Sequence, residues 1–249
     1  MPSPVNLIYR ARSRLGHLFD RLWPGHCLVC GQTCDDGCGD PGNPGRQDLC
    51  PACRHALPWN RSACLRCSLP LPLPADACGH CQRRPPPLTV ARAAFRYEAP
   101  LDRLLPRLKF HDDLAAGRLL GGLMAEALAD AERPDALVPL PLHRRRLRSR
   151  GFDQTLELAK PLARALALPL RDDLLVRVRE TAPQSRLDAP ARRRNLRRAF
   201  AVRSGIAVPA HVVLIDDVMT TGATLHAAAD ALLRAGAVRV DAWVCARVA

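Results

Sequence analysis

The sequence predicts an α/β protein: a parallel-sheet domain of alternating strands and helices, preceded by a small cysteine-rich domain. Three observations carry this expectation. Eight cysteines stand in four Cys-x-x-Cys pairs between Cys27 and Cys81. From Val90 onward, short apolar runs alternate with alanine- and leucine-rich stretches at helical spacing, the pattern of strands joined by crossover helices. Near the C-terminus, Val212-Val213-Leu214-Ile215-Asp216-Asp217 reads as a buried strand ending in two carboxylates, and Thr220-Thr221-Gly222-Ala223-Thr224 turns it into a helix running to about Arg234. With 249 residues, 48% of them apolar, the chain holds enough for a medium-sized domain and a small one.

Residues 1–26 come first. Leu7, Ile8, Ala11, Leu15, Leu18, Phe19 and Leu22 recur at helical spacing, which predicts an amphipathic helix packed on the protein. Arg10, Arg12 and Arg14 interrupt any secretory hydrophobic region, and no stretch reaches the roughly 18 apolar residues of a membrane span. A cytoplasmic location is therefore expected.

Residues 27–84 form the cysteine-rich domain. Its pairs are Cys27/Cys30, Cys50/Cys53, Cys64/Cys67 and Cys78/Cys81, with 19 residues between the first two and 10 between the last two. Two residues between thiolates let a tight turn aim both sulfurs at one ion, and two such turns complete a tetrahedron. Two structural zinc ions, each held by four of these cysteines, are the economical reading; an iron–sulfur cluster is the competing one. A disulfide framework conflicts with a cytoplasmic chain. The region is rich in Gly and Pro and poor in large aliphatics, so metal would supply the stability its core lacks. Cys34 and Cys38 do not fit the pairing and read as spare thiols, His80 would be a redundant ligand, and Cys245 reads as a core residue.

Residues 85–249 form the larger domain, opened by the stiff Pro85-Pro86-Pro87. The pattern predicts strands over 90–97, 137–140, 174–178, 212–216 and 238–248, and helices over 101–110, 114–131 and 154–166. Two arginine-rich loops lie between them. The first, from Pro139 to Gln154, begins where a strand ends and so shares a sheet edge with the 220–224 turn. The second, from Arg177 to Arg198, has the long, polar profile of a lid or binding loop. The net charge is +13, and between His143 and Arg203 alone 17 basic residues face 6 acidic ones. Such an excess calls for polyanionic ligands, phosphates or nucleic acid. That Arg outnumbers Lys 35 to 2 reflects coding bias more than function.

The 212–224 segment carries the most specific chemistry. Ligands bind outside the carboxyl ends of strands in open α/β sheets, and a helix N-terminus offers free N–H groups to an anion. Threonine hydroxyls add donors, Gly222 permits close approach, and carboxylates accept from vicinal hydroxyls. The unit suits a sugar carrying a phosphate. An ATPase acidic strand would need a Gly-Lys-Ser/Thr loop upstream, and the only lysines, Lys109 and Lys160, follow no glycine.

This segment closely resembles the phosphoribosyl pyrophosphate (PRPP) signature of type I phosphoribosyltransferases. By that resemblance Asp216 and Asp217 hold the ribose hydroxyls, and Thr220, Thr221, Gly222, Ala223 and Thr224 cradle the 5-phosphate. From about Cys27 to its end the chain resembles the ComF/GntX family, a double zinc ribbon followed by a phosphoribosyltransferase-like domain. The matching pieces are the Cys-x-x-Cys pairs, Leu108-Lys109-Phe110, the Pro-Leu…Arg-Gly-Phe-x-Gln stretch, and Thr181, Gln184, Leu187, Arg192, Asn195, Ala199 and Phe200. Asp153 departs from the family's usual Asn and sets a negative charge near the anion site.

The resemblance implies PRPP bound with Mg²⁺; the candidates chosen for its pyrophosphate are Arg146 and Arg150, with Arg192 arriving from the lid and Lys109 as a further contact. In naturally competent bacteria it also implies a role in handling imported single-stranded DNA beside a helicase-like partner. Two readings follow. One is a Mg²⁺-dependent phosphoribosyltransferase acting in DNA uptake or nucleotide-linked metabolism, with its acceptor and catalytic residue unassigned. The other is a non-catalytic PRPP sensor that grips single-stranded DNA or the helicase-like protein. Phe110, Phe152 and Phe200 stand isolated in the sequence, which argues against a stacking platform for DNA.

Overall fold

The computed structural model describes residues 26–33, 48–110, 113–178 and 199–249. The helix expected over residues 1–26 (all but His26), Cys34, Cys38 and Arg192 lie outside the described residues. The chain forms two compact units that divide between Leu57 and Pro58.

In the smaller unit, the Cys27–Cys30 turn closes through Gly31 N–H on the Cys27 carbonyl at 2.8 Å, and Leu28 N–H reaches Asp48 O at 2.9 Å. A short helix α1 (Pro51–His55) follows. Pro51 stands where a helix has no use for an N–H, and the Cys50 sulfur caps the turn by accepting from Cys53 N.

The larger unit holds the helix α2 (Gly79–Arg83), then β1 (Ala91–Arg96), α3 (Leu101–Phe110), α4 (Leu114–Ala127), β2 (Ala136–Pro139), α5 (Arg144–Arg150), α6 (Gln154–Leu166), β3 (Leu175–Arg177), β4 (Phe200–Val202), β5 (His211–Met219), α7 (Ala223–Arg234) and β6 (Arg239–Arg247). Four strands form one parallel sheet in the order β1-β6-β5-β2. Its central strands are covered on both faces, which is why they read as unbroken apolar runs. Val212, Leu214, Val240, Ala242 and Val244 pack with Leu225, Ala228 and Leu232 of α7 and with Leu174 and Phe200. Against the opposite face, α6 packs on β5 and β2, and α4 on β6 and β1. The helices α4 and α6 meet at Gly121, where a Cβ would lie 2.4 Å from Pro161 Cγ and 2.6 Å from Leu158 O. Cys245 is fully buried in β6, as expected.

Several elements differ from the sequence reading. The strand at Leu175–Arg177 does not join the parallel sheet; it pairs antiparallel with β4, a partner beyond the intervening arginine-rich stretch. Arg144–Arg150, read as loop, is the helix α5. Its first turn is capped by His143 Nδ1 accepting from Arg145 N, and its end by Gly151 at φ +82°. The helix expected to reach residue 131 ends at Ala127, and Ala131 N–H closes a turn on Leu128 O at 3.0 Å. β5 runs on to Met219, so both aspartates lie within the strand.

The second pair of Cys-x-x-Cys turns belongs to the larger unit, because it covers the open edge of the sheet. β1 is an edge strand, and an uncovered edge offers unpaired N–H and C=O groups to other chains. Here Ala91 N–H donates to Leu65 O at 2.7 Å, Ala93 N–H to Ser68 Oγ at 2.8 Å, and Arg96 N–H to Pro58 O at 2.8 Å. Ala94 O accepts from Asn60 N at 3.0 Å, and Trp59 stacks on Phe95 with ring centroids 4.7 Å apart. Cys64, Cys67, Cys78 and Cys81 all lie in the same buried cluster as Leu88, Ala91 and Ala93.

Candidate functional site

The cysteines converge as two groups of four, Cys27/Cys30/Cys50/Cys53 and Cys64/Cys67/Cys78/Cys81, with all sulfurs in each group within 4.8 Å of one another. Cys30 and Cys50 sulfurs are 3.9 Å apart, and those of Cys67 and Cys78 are 3.7 Å apart. Thiolates about 2.3 Å from a tetrahedral zinc stand ~3.8 Å from each other, so the spacing fits that ion. The protonation chemistry fits too. Burial and neighbouring thiols push Cys53 and Cys81 up. Burial also opposes the thiolates of Cys27 and Cys78, but backbone N–H donors, joined by neighbouring thiols, prevail and lower them to about 6 and about 7. Four thiolates this close need a dication to coexist.

The carboxylate site is built from β5 upward. Asp216 and Asp217 are adjacent in β5, and their carboxylates stay close enough to act on each other. Asp217, buried, meets Lys109 from α3, whose Nζ donates to its Oδ2 at 2.9 Å. Although burial disfavours the lysine's charge, Asp217 and then Asp216 outweigh it and raise Lys109 above its ordinary value. Asp216, for its part, acts on Arg177 of β3. Burial, reinforced by the neighbouring Asp217 carboxylate, lifts Asp216 well above the ordinary carboxylate range. Burial and the charge of Arg146 lower Arg177, with Asp216 opposing them. Asp216 is thus within electrostatic reach of Arg177, which in turn feels Arg146.

The helix α5 presents its arginines on two sides. Arg146 and Arg150, four residues apart and so stacked along one face, are half-buried, while Arg144, Arg145 and Arg148 are exposed. Arg150 donates from Nη1 to Gln154 Oε1 at 2.5 Å, and its guanidinium lies 5.6 Å from the centre of the Phe110 ring. Arg177 lies 5.5 Å from the centre of Phe200. Two of the phenylalanines that stand isolated in the sequence are therefore each covered by an arginine of the site.

Asp153 has a structural task. Its Oδ2 accepts from Leu142 N at 2.9 Å, and its Oδ1 from Thr155 N at 3.0 Å and Thr155 Oγ1 at 2.6 Å. The carboxylate caps α6 and ties the chain after β2 to it, so its charge is spent at a helix N-terminus.

The turn after β5 begins α7 at Gly222, with φ +75°. An alanine there would set its Cβ 2.6 Å from Met219 Cε and 2.8 Å from His226 Nε2, besides forcing a left-handed backbone on an L-residue. Thr220 and Thr221 are exposed, Thr224 is half-buried, and Thr221 Oγ1 accepts from Ala223 N at 3.4 Å. Behind the turn, Arg247 is 9% exposed. Its Nε donates to Cys67 O at 2.9 Å, and its Nη1 donates to Met219 O at 3.2 Å and to Val248 O.

Of the site residues expected from sequence, the structure gathers Lys109 with Asp216 and Asp217, sets Arg146 and Arg150 on the inner side of α5, and puts the 220–224 turn directly after the aspartates. Arg177, Phe110, Phe200 and Gln154 were not among them. No spacing rule marks Arg177; only its place at the end of a strand and its pairing with β4 bring it in.

A parallel sheet whose strand delivers paired aspartates to a glycine-started helix, joined to two four-cysteine groups, defines a phosphoribosyltransferase-type protein with a double zinc ribbon. The family model of the phosphoribosyl transferase domain matches residues 153–248, and that of the double zinc ribbon domain matches residues 18–82. The chain is 38% identical over 205 residues to the DNA utilization protein YhgH of Salmonella typhimurium, covering 80% of this chain and 90% of that one. To the protein of the same name from Escherichia coli strain K12 it is 34% identical over 230 residues, 90% of this chain and 97% of the relative. To competence protein F of Haemophilus influenzae it is 32% identical over 210 residues, 81% and 91% of the two chains. The chain belongs to the ComF family. Among the described residues, no helix is long and apolar enough to cross a membrane.

Proposed function

We propose that the β5–α7 site binds PRPP with Mg²⁺ and that the protein acts, in the cytoplasm, in the handling of imported DNA or in nucleotide-linked metabolism. The observation that supports the reading is the adjacent pair Asp216 and Asp217 in the last part of β5, a few residues before a helix N-terminus opened by Gly222. Asp216 and Asp217 take the ribose hydroxyls, and residues 220–224 take the 5-phosphate. Arg146 and Arg150 face the pyrophosphate, together with Arg192 from the second arginine-rich stretch. Lys109 holds one carboxylate in place until the ligand arrives. Mg²⁺ bound with the ligand would neutralise part of its pyrophosphate charge. If transfer occurs, the bond from the anomeric carbon to pyrophosphate breaks as one to the acceptor forms. The arginines then stabilise the leaving charge.

Losing the carboxylates leaves ribose hydroxyls unpaired, at roughly 1–3 kcal/mol per buried group. Calorimetry is expected to show Asp216→Ala with Asp217→Ala binding PRPP at least about tenfold more weakly. Unchanged affinity sinks the assignment.

A second reading, a non-catalytic grip on single-stranded DNA or a helicase-like partner, is favoured by one observation: Phe110 is 66% exposed beneath Arg150. An aromatic face beside a guanidinium is what a single-stranded base stacks on, at about 1–3 kcal/mol per base. The relatives' names point to DNA use and competence as well. Pyrophosphate release from PRPP in a screen of bases, nucleotides and oligonucleotides supports the transferase; tight oligonucleotide binding without release, weakened by Phe110→Ala, supports the grip.

A further inference from the structure

The buried guanidinium of Arg247 lies between two sites that the sequence places far apart. Cys67 stands in the Cys64–Cys67 turn, and its carbonyl takes the Nε proton at 2.9 Å. Met219 is the last residue of the strand that carries the aspartates, and its carbonyl takes an Nη1 proton at 3.2 Å. Among the described residues Arg247 has carbonyl partners alone: Cys67, Met219 and the adjoining Val248. No carboxylate among the described residues neutralises it, so its geometry depends on those acceptors staying where they are.

Met219 is also a pivot. It pairs in register with Arg247 itself, and its carbonyl accepts a second bond from Val248 N at 3.1 Å. Its methyl group is packed against Gly222 so closely that a Cβ on the glycine would lie 2.6 Å away. Moving the Met219 carbonyl therefore moves the floor of the 220–224 turn. At the other end, the Cys67 carbonyl is held by a turn whose two sulfurs belong to the second cysteine group, with Ser68 beside it in the left-handed region at φ +54°. Ser68 N–H on Cys64 O at 2.8 Å and Cys64 N–H on Leu69 O at 3.0 Å close that turn, but without the ion its crowded thiols must spread, and the Cys67 carbonyl shifts with them.

We propose that Arg247 is a positioning residue that couples metal in the second cysteine group to the phosphate-binding turn, so that zinc bound there raises the affinity for PRPP. The coupling rests on the PRPP reading above. It is reciprocal: whatever factor zinc adds to PRPP affinity, PRPP adds to zinc affinity at that group, and the first group is left out of the exchange.

The test measures zinc affinity of the full-length chain by competition with a chelator, with and without saturating PRPP and Mg²⁺. The expected result is at least a fivefold gain at one of the two zinc sites and none at the other. The Cys53→Ser chain, which keeps a single intact group, assigns the gain to the second. A ligand that merely stabilises the whole unit would also tighten zinc, and Arg247→Lys separates the two. This variant keeps the charge but loses the fork that spans both carbonyls. It is expected to bind PRPP several-fold more weakly and, at saturating PRPP, to lose the gain in zinc affinity. PRPP binding to the wild-type chain with both zinc affinities unmoved overturns the coupling, as does a full gain in Arg247→Lys. Failure of the wild-type chain to bind PRPP overturns the underlying reading and the coupling with it.

Discussion

The two cysteine groups share a motif, a ligand count and a sulfur geometry, yet they stand in different physical surroundings. In the first, Cys30 is exposed and Cys50 and Cys53 are half-buried, and the helix it helps form buries none of its residues. In the second, all four cysteines are buried, Cys64 completely, and they are part of the core that holds the sheet. One metal site organises a small unit of its own. The other is a component of the larger unit, as a leucine cluster would be, and its removal is felt wherever that core reaches. Ligand spacing alone does not decide whether a metal builds a module or completes one; the neighbours of the turn do.

The largest expected effect follows directly. Cys64→Ser strips the second metal and, with it, the cover of β1. The larger unit is expected to lose at least about 10 °C in melting temperature by calorimetry, given the size of metal-linked folding energies. Cys30→Ser strips the first metal and should leave that transition within about 2 °C. Equal losses in the two variants would break the comparison. A chain beginning at Pro58 carries the same logic further. It is expected to fold, to hold one zinc by elemental analysis, and to melt within a few degrees of the full chain, on the order of a few tenths to 1 kcal/mol.

Smaller changes probe the seam itself. Ser68 is 2% exposed, and its Oγ takes a proton from Ala93 N and lies 3.1 Å from Asn60 Nδ2. Ser68→Ala leaves a buried amide unpaired, at about 1–3 kcal/mol, and should lower the melting temperature of the larger unit by roughly 3–8 °C without loss of zinc. If zinc were lost as well, the turn and the edge strand would be less separable than their hydrogen bonds indicate.

The smallest expected effect has the opposite sign and comes from the other crowding of like charges in this unit, the aspartate pair. Burial and Asp217 raise Asp216 well above an ordinary carboxylate. The folded chain then holds that proton more tightly than the unfolded one. Its contribution to stability is greatest at low pH and is lost as pH rises from the ordinary carboxylate range through the raised value. At pH 7, Asp216→Asn is expected to raise the melting temperature by roughly 1–4 °C while it weakens PRPP binding. A fall in stability at neutral pH would mean that Asp216 is held as a satisfied anion instead. The thiols have metal to relieve their crowding; the carboxylates have Lys109 and, on the proposed reading, the ligand.

How far the sequence is legible follows the range of the interactions. The Cys-x-x-Cys turns and the strand–turn–helix of residues 212–234 are local patterns, with turn, cap and ligand all within a few residues; the cysteines gather as read, and the strand–turn–helix forms with its strand extended to Met219. The helix at Arg144–Arg150 was missed because its apolar content is a single leucine; its signals are the caps, His143 and Gly151. The antiparallel partner of β3 lies beyond a long arginine-rich stretch, so no periodicity announces it. The merger of the second cysteine group with the sheet depends on contacts such as Arg247 to Cys67, 180 residues apart. Nor does spacing reveal that Asp153, which reads as an unwelcome charge near an anion site, is consumed as a helix cap.

The covering of β1 by the metal-bearing segment has a consequence for the fate of the chain in a starved cell. A parallel sheet with one edge exposed is a template for other chains, and proteins ordinarily guard that edge with charge, proline or a bulge. Here the sequence of β1, Ala91-Arg92-Ala93-Ala94-Phe95-Arg96, relies on neighbours for its guard: the outward N–H groups of Ala91, Ala93 and Arg96 all find their acceptors in residues 58–68. A newly made chain without zinc in its second group thus presents an unpaired strand flanked by apolar surface. Zinc scarcity is therefore expected to act through solubility: the chain stripped of metal should aggregate or be cut by protease faster than the loaded one, as light scattering and limited proteolysis would show.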